Sequence, residues 1–337
     1  MEDLHLKRIA INGMGRTGRG MLRHYFTQGS EEIEIVAAND LTAIDDVAYL
    51  LRYDSVHGRL PLPVEIDGDL LRYGDREVQL FGIASPRELP WQALNIDVVI
   101  DSTGAFTARS DAAQHLTAGA HRVLIGAPSP DADFDLVFGV NEQAFDPGRH
   151  HVVSNASCTT NSLAPVLKVL LDHYGLEEVQ VTTVHAYTAS QGIIDRAASK
   201  KHRGRAAGVS IIPTTTGADK ATVKVLPELA GKIRANAIRV PVPDGSITDI
   251  TALLTRPASA EEVNDLMRQQ AQGPLNGILG YSDEELVSVD ILGEPFSGIV
   301  HGNATQTTGR LIKLQVWYDN EIGYANRCLD AVTKLAM

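Results

Sequence analysis

Two side chains of this sequence, Cys158 and His185, have the chemistry of a nucleophile and a base. Cys158 lies among small polar residues in SNASCTTN, after the predicted strand HHVVSN and before SLAPVLKVLLDHYG, a predicted helix with Pro165 near its start. Helix N-terminal N–H groups favour a thiolate, and such sites lower a cysteine pKa from about 8.5 to roughly 3.5–7.5. His185, just after the predicted strand VQVTTV, reaches Cys158 if the segments adjoin. The pair predicts thiol catalysis; the alternatives are a buried structural cysteine, as expected for Cys328, and a structural histidine.

Groups that suit phosphate follow the cysteine segment. Residues 213–220, PTTTGADK, form a hydroxyl-rich turn that opens a predicted helix, and Arg239 lies in the predicted strand AIRVPVP. The basic run 198–208 is unusual in an acidic chain and could steer an anionic substrate. Each of these features is also compatible with a cap, a surface charge or a solvated loop.

The first predicted elements form a strand, a glycine turn and a helix. The strand RIAIN is followed by GMGRTG, and the helix that begins there is predicted to end at Gly29. In a nucleotide site, Gly13 permits the tight turn, Gly15 lets a pyrophosphate approach the backbone, and Gly18 lets helix and strand pack closely. A glycine turn without a nucleotide remains the alternative.

Asp40 ends the next predicted strand, EIEIVAAND, 22 positions beyond Gly18. A carboxylate there accepts hydrogen bonds from an adenosine ribose and repels a 2′-phosphate, so the sequence favours NAD over NADP. The alternative is a helix or turn cap in NDLT.

Two more predicted strands, IDVVIDSTG and RVLIGAP, flank the helical segment AAQHLTAGA. Alternation of strands and helices predicts an α/β fold with a doubly wound parallel sheet. Ligands bind at the carboxyl ends of such strands, so residues 102–104 and 126–128 are predicted cofactor-side loops, although ordinary turns also occur there.

Composition limits the classes of function. The 337 residues are typical of two domains, and a formal charge of −12 opposes general binding to nucleic acid or anionic membranes. The two cysteines have no metal-ligand spacing, so no disulfide framework and no metal site are predicted. The acidic N-terminal segment has no long apolar run, and we predict a cytoplasmic protein.

Nine motifs occur in the order and with the approximate spacing of the glyceraldehyde-3-phosphate dehydrogenase family. They are INGMGRTGR, NDL, YDSVHG, STG, SNASCTTN, HAYT, PTTTGA, RVPVPDGS and WYDNEIGYANR. From about residue 8 onward the chain resembles the phosphorylating members. The resemblance implies a Rossmann-type NAD-binding domain over 1–156, joined by a C-terminal helix at 321–337. It also implies an α+β catalytic domain with a mixed, largely antiparallel sheet over 157–320, and a homotetramer.

The resemblance also implies a reaction. Cys158 would attack the aldehyde carbon of glyceraldehyde 3-phosphate, and His185 would take the hydroxyl proton as a hydride leaves for NAD. Inorganic phosphate would then attack the resulting thioester and release 1,3-bisphosphoglycerate.

The family pattern assigns further site residues. The substrate phosphate is assigned to Thr188 and Arg239, the attacking phosphate to Ser157, Thr159, Thr216 and Gly217, and the substrate-side loop to Arg203. Besides Gly13, Gly15 and Gly18, the cofactor is assigned Arg16 and Thr17 at the pyrophosphate, Asp40 at the ribose, Thr103 and Ala127 in the middle, and Asn320 at the carboxamide.

Some positions depart from the family pattern. Ser190 stands where many members have an aspartate beside the substrate phosphate, and Arg196-Ala197 replaces a Leu-Pro pair associated with strict NAD use. We expect a preference for NAD with some use of NADP. Ser162 fills a position often held by a second cysteine.

Three other functions compete with this interpretation. The nearest is erythrose-4-phosphate dehydrogenase, which uses the same thiol and hydride chemistry but releases the acyl group to water; HAYT and PTTTG favour the phosphorylating branch. A cofactor-free cysteine hydrolase or acyltransferase would leave the glycine turn and Asp40 unexplained. A catalytically idle binding protein would not need Cys158, His185 and two phosphate sites.

Overall fold

A computed structural model describes residues 6–336, which divide into two compact units. One unit contains the described chain up to Leu136, together with Gln143–Ala156 and the segment from Ala325 onward. The other contains Val137–Glu142 and Ser157–Tyr324.

The first unit is built on a nine-stranded sheet with the order β10-β11-β9-β8-β1-β2-β7-β6-β5. Its strands are β1 (Lys7–Asn12), β2 (Ile33–Asn39), β5 (Glu65–Asp67), β6 (Leu70–Tyr73), β7 (Arg76–Phe81), β8 (Val98–Asp101), β9 (Arg122–Ile125), β10 (Phe134–Asp135) and β11 (Val152–Ser154). A separate hairpin pairs β3 (Tyr53–Asp54) with β4 (Gly58–Arg59), and the helices are α1 (Arg16–Gln28), α2 (Ile44–Arg52), α3 (Arg109–Ala112) and α4 (Gln114–Thr117). The strands from β10 to β7 pair in parallel, which confirms the predicted Rossmann-type sheet.

The glycine turn between β1 and α1 has little room for side chains. Gly13 has φ +97°, and a Cβ there would lie 2.7 Å from the Thr103 nitrogen. A Cβ on Gly18 would lie 2.0 Å from the Gly13 carbonyl oxygen, whereas one on Gly15 would meet no atom within 4 Å. The tight turn and the close helix–strand packing therefore depend on glycine, and Gly15 presents bare backbone to open space. α1 ends at Gly29, as predicted.

The second unit contains an eight-stranded mixed sheet with the order β13-β14-β12-β15-β19-β17-β16 and β18 beside β19. Its strands are β12 (Leu176–Ala186), β13 (Ile212–Thr215), β14 (Ile233–Val240), β15 (Ser246–Leu254), β16 (Leu279–Ser282), β17 (Gly298–His301), β18 (Gln306–Thr308) and β19 (Leu311–Tyr318). Its helices are α5 (Cys158–Tyr174), α6 (Ala218–Val225) and α7 (Ala260–Gln272), whereas most of α8 (Ile322–Leu335) belongs to the first unit. Most pairings are antiparallel, and β12 with β14 and β16 with β17 are parallel, which confirms the predicted mixed sheet.

The predicted position of Cys158 at a helix N-terminus is confirmed. α5 begins at Cys158 itself, before the predicted stretch that opens at Ser162, so Pro165 lies in the helix interior rather than near its start. Ser157 causes the early start, because its hydroxyl oxygen accepts a hydrogen bond from the Thr160 N–H at 3.1 Å. Cys158 is therefore the first helical residue.

Candidate active site

Cys158 and His185 meet within the second unit. Cys158 opens α5, and His185 is the penultimate residue of β12. The Cys158 Sγ lies 3.6 Å from the Nε2 of His185. A thiol and an imidazole at this distance can exchange a proton.

The backbone and an arginine orient the His185 ring. Its Nδ1 lies 2.7 Å from the Ala186 carbonyl oxygen, and Arg239, directly opposite His185 in the β12–β14 register, donates to the same oxygen at 2.8 Å. Arg239 Nη1 also lies 2.7 Å from the same Nδ1. We assign the imidazole proton to Nδ1, because the two lone pairs of the carbonyl then accept both donors. The Nε2 atom then presents its lone pair to the thiol.

Burial keeps both members of this pair neutral, and the charge of Arg239 supports that state in His185 but opposes it in Cys158. Burial and the Arg239 guanidinium lower the pKa of His185 to about 3. Cys158 is partly exposed as a residue, but desolvation of its thiol raises its pKa despite the opposing charge of Arg239. The depressed thiol pKa predicted from the helix terminus is therefore wrong for the free protein, because desolvation outweighs the field of the helix.

Tyr318 is a site residue that sequence reasoning did not single out. Its hydroxyl lies 3.0 Å from the hydroxyl of Thr159 and 2.8 Å from that of Thr183, and its ring packs edge-on to His185 at 5.9 Å between centroids. It is buried and ends β19. Its position two residues before Asn320 was the signal that could have identified it.

Two arginines give the second unit a locally positive region. Burial and the charge of Arg203 lower the pKa of Arg239. The Arg239 Nε is buried without a hydrogen-bond partner in the described chain. Arg203 donates to the Thr214 hydroxyl at 3.2 Å and to the Thr215 carbonyl at 3.2 Å. Such a region can hold an anion in an otherwise acidic protein.

The remaining predicted phosphate residues have varied surroundings. Thr188 and Ser190 share a hydrogen bond of 2.9 Å between hydroxyls. The Thr216 hydroxyl accepts from the Ala218 N–H at 3.2 Å, and Gly217 precedes α6 without a side-chain cap. The Ser157 hydroxyl already caps α5 and that of Thr159 already contacts Tyr318, so neither side chain depends on a ligand for hydrogen bonding.

In the first unit, Asp40 lies directly after β2 beside the glycine turn. Its carboxylate accepts hydrogen bonds from the N–H groups of Met14 at 2.6 Å and Thr42 at 2.8 Å. Burial opposes ionisation, but hydrogen bonds from Thr42 and Met14 outweigh it and lower the pKa of Asp40. Asp40 thus forms the turn cap that was its alternative interpretation, and it remains a charged acceptor at neutral pH.

The family pattern assigns Arg16 to the pyrophosphate, but the side chain of Arg16 already has a protein partner. Its guanidinium contacts the Asp54 carboxylate at 2.5 and 3.2 Å, and the Asp54 side chain is only 4% exposed. Arg16 and Thr17 also form the first turn of α1, whose preceding residue, Gly15, supplies no side-chain cap. The uncapped helix start, the bare backbone at Gly15 and the charged Asp40 fit a dinucleotide.

The other predicted cofactor residues are held by neighbours within their own units. The Thr103 hydroxyl donates to Asp101 at 2.7 Å, and the Ala127 carbonyl accepts from Ser154 at 3.0 Å. In the second unit, the Asn320 side-chain oxygen accepts from the Ser246 hydroxyl at 2.5 Å.

Comparisons with known proteins match segments of both units to the same family. A family model described as glyceraldehyde 3-phosphate dehydrogenase, NAD binding domain, matches residues 7–109, and the C-terminal domain model of the same family matches residues 157–320. A glyceraldehyde-3-phosphate dehydrogenase of Kitasatospora aureofaciens is 48% identical over 331 residues, which cover 98% of this chain and 99% of that protein. Proteins of the same name from Geobacillus stearothermophilus and, as number 1, from Bacillus subtilis are each 46% identical over 330 residues, 98% of both chains.

Proposed function

The chain belongs to the glyceraldehyde-3-phosphate dehydrogenase family, and we propose that it oxidises glyceraldehyde 3-phosphate to 1,3-bisphosphoglycerate with phosphate and NAD. The observation that carries the proposal is the 3.6 Å approach of the Cys158 thiol to the His185 Nε2, beside the Arg239 cation. A nucleophile, a base and an anion-binding group occur together there.

The first chemical step forms a carbon–sulfur bond. The Cys158 sulfur attacks the aldehyde carbon, and the thiol proton passes to His185 Nε2 and from there to the former carbonyl oxygen, which gives a thiohemiacetal and returns His185 to its neutral form. Because the pKa of His185 is about 3, its imidazole is neutral at pH 7 and able to accept that proton.

The second step oxidises the thiohemiacetal to a thioester. NAD, when bound, accepts a hydride at C4 of its nicotinamide ring. His185 Nε2 takes the hydroxyl proton of the thiohemiacetal as the carbon–hydrogen bond breaks, so two electrons and one proton leave the substrate carbon. Phosphate oxygen then attacks the thioester carbon, the carbon–sulfur bond breaks, and the thiolate of Cys158 is regenerated on release of the acyl phosphate.

The anion groups divide between two phosphates in this proposal. Thr188 and Arg239 bind the phosphate of the substrate, and the unpartnered Arg239 Nε supports this role. The attacking phosphate is bound by Ser157, Thr159, Thr216 and Gly217, and Arg203 belongs to the substrate-side loop. Within that set Gly217 lies directly before α6, whereas the hydroxyls of Ser157, Thr159 and Thr216 already have protein partners.

NAD is the proposed cofactor. Residues 1–156 with 321–337 are the proposed NAD-binding domain, and residues 157–320 are the proposed catalytic domain. Gly13, Gly15 and Gly18 shape the loop, the first-turn amides of Arg16 and Thr17 serve the pyrophosphate, and Asp40 accepts the ribose hydroxyls. Thr103, Ala127 and Asn320 complete the set. Arg196 supports a secondary use of NADP, and a larger kcat/KM with NADP than with NAD would overturn that preference.

Release of the acyl group to water, as in erythrose-4-phosphate dehydrogenase, is not favoured, because the named relatives and both anion regions support the phosphorylating reaction.

We further propose a homotetramer in the cytoplasm. The two free cysteines, Cys158 and Cys328, support a reducing compartment. Four strongly exposed apolar residues of the second unit support self-association: Ile193, Ile194, Val209 and Ile211. No helix in the described part of the chain is long and apolar enough to cross a membrane.

Trapping of the thioester tests this function. Protein mixed with glyceraldehyde 3-phosphate and NAD, without phosphate, should carry a 3-phosphoglyceroyl group on Cys158 by peptide mass spectrometry, and added phosphate should remove it. Cys158→Ser is the control and should stay unmodified. Acylation elsewhere, or none, would refute the proposed role of Cys158.

A further inference from the structure

Three neighbouring parallel strands of the first unit end in buried polar residues. Asn12 ends β1, Asn39 ends β2 and Asp101 ends β8, and all three are at most 4% exposed. The sheet order places β8, β1 and β2 side by side. Each polar end immediately precedes a predicted cofactor loop, yet the proposed cofactor contacts do not use these side chains.

Hydrogen bonds connect the three strand ends. The Asn39 amide donates to the Asn12 side-chain oxygen at 2.8 Å, and the Asn12 amide donates to Asp101 Oδ2 at 2.8 Å. Asn39 also exchanges two hydrogen bonds with the backbone of Ile83, at 2.8 and 3.0 Å. These contacts leave the amides no freedom to rotate without losing a buried partner.

A tryptophan and a histidine extend this network below the loops. The Trp91 indole N–H donates to Nδ1 of His115 at 2.9 Å, so Nδ1 is an acceptor and the ring proton is on Nε2. That Nε2 lies 3.1 Å from Asp101 Oδ2 and donates to it. Both rings are fully buried. The contact with Trp91 therefore holds His115 as a neutral donor aimed at Asp101.

The other oxygen of Asp101 organises the loop after β8. Asp101 Oδ1 accepts from the Thr103 N–H at 3.1 Å and from the Thr103 hydroxyl at 2.7 Å. The intervening Ser102 donates its hydroxyl to the Gly13 carbonyl at 2.6 Å, which joins this loop to the glycine turn. One carboxylate thus serves four donors from three segments of the chain.

We propose that Asp101 and His115 are positioning residues for dinucleotide binding, which hold the loops after β1, β2 and β8 in their binding geometry. The inference rests on the proposed NAD site. Loops that are already ordered bind a ligand with less loss of conformational entropy, and small displacements of contact groups are costly. An apolar core would fill the same space but would not tie the three loops together.

The test compares three variants by hydrogen exchange and by NAD binding. His115→Leu removes both ring contacts, whereas His115→Gln retains one acceptor for Trp91 and one donor for Asp101. Val99→Ala is the control, because Val99 is fully buried in the core beside Trp91 but has no polar side chain. It should lower the unfolding temperature without altering the loops.

His115→Leu should speed exchange of the amides in residues 12–18, 38–44 and 101–105 and raise the Kd for NAD roughly tenfold. His115→Gln should return the amide exchange rates and the Kd for NAD to within about threefold of the parent values. Wild-type exchange rates of the three segments in His115→Leu, or equal loosening in Val99→Ala, would overturn the positioning role. If His115→Leu loosens the three loops but the parent protein does not bind NAD, the result would instead refute the proposed cofactor.

Discussion

At the scale of single residues, Cys158 is subject to two opposing influences. Desolvation raises the pKa of its thiol, and the nearby Arg239 cation lowers it. The same cation lowers the pKa of His185, so the pair is neutral before substrate arrives. Arg239 is therefore both an anion-binding group and a determinant of thiol reactivity.

The pH dependence of Cys158 alkylation measures this balance. In the free protein the rate with iodoacetamide should rise with pH and reach half its maximum above the pH at which an ordinary thiol does, because the thiolate is the reactive species. Arg239→Gln should move that midpoint higher, since it removes the charge that favours the thiolate. Cys328→Ser, which removes the buried second thiol, is the matched background. An unchanged or lower midpoint in Arg239→Gln would contradict the account.

His185 should matter for turnover more than for binding. His185→Asn should lower kcat by roughly 10²–10⁴-fold, because it removes the base that contacts the thiol, while the KM for NAD changes little. Steady-state kinetics with each substrate varied in turn separate the two effects. A kcat within a few-fold of the parent value would show that His185 is only structural.

At the scale of elements, the order of strands and helices could be predicted, but some boundaries and contacts could not. Hydrophobic patterning located β1, α1, β2 and β12, because their buried faces repeat regularly. Cys158 was correctly predicted at the N-terminus of α5, but the residues between it and Ser162 were not predicted as helical, because a single hydroxyl, that of Ser157, caps the helix there. The Cys158–His185 contact depends on how α5 and β12 pack, which local pattern does not encode. The Asp101–His115 network was missed because each polar strand end looks like an ordinary turn residue.

Two buried carboxyl groups join turns of the second unit. Asp244, just before β15, accepts from the N–H groups of Gly245 and Asn320, and Asp319, just after β19, accepts from the Gly293 N–H. Burial and the charge of Asp319 raise the pKa of Asp244 to about 9. Asp244 is therefore protonated when folded at neutral pH but ionised when unfolded.

The raised pKa of Asp244 predicts that the free energy of unfolding depends on pH. A carboxyl whose folded-state pKa exceeds its unfolded value of about 4 binds more protons when folded, so the free energy of unfolding falls as pH rises from about 4 to about 9. Asp244→Asn mimics the protonated form and should be more stable at pH 8, by about 2 kcal/mol or more, with a flatter pH profile. Denaturant unfolding from pH 5 to 9 measures this. Asp75→Asn, whose side chain is 92% exposed, is the control. A parallel profile in Asp244→Asn would contradict the assignment.

At the scale of the whole molecule, the exposed apolar residues of the segment around residues 193–211 set the expected assembly. Ile193 is 89% exposed and Val209 is 84% exposed in the single chain. The purified protein should behave as a tetramer in size-exclusion chromatography with light scattering. Ile193→Asp with Val209→Asp should shift it to smaller species, because a charge at a buried interface lacks a partner. Leu41→Asp, an exposed apolar residue of the first unit, tests whether the effect is specific to this segment. A monomeric parent protein would exclude the tetramer.

The central claim is that this protein couples aldehyde oxidation to phosphate transfer, and the rate of NADH appearance tests it most directly. Purified protein with glyceraldehyde 3-phosphate and NAD should produce NADH rapidly when inorganic phosphate is present and much more slowly in its absence. The acyl phosphate should accumulate in step with NADH. A rate that is indifferent to phosphate, with the free acid as the product, would show that water is the acceptor and would contradict the phosphorylating reaction.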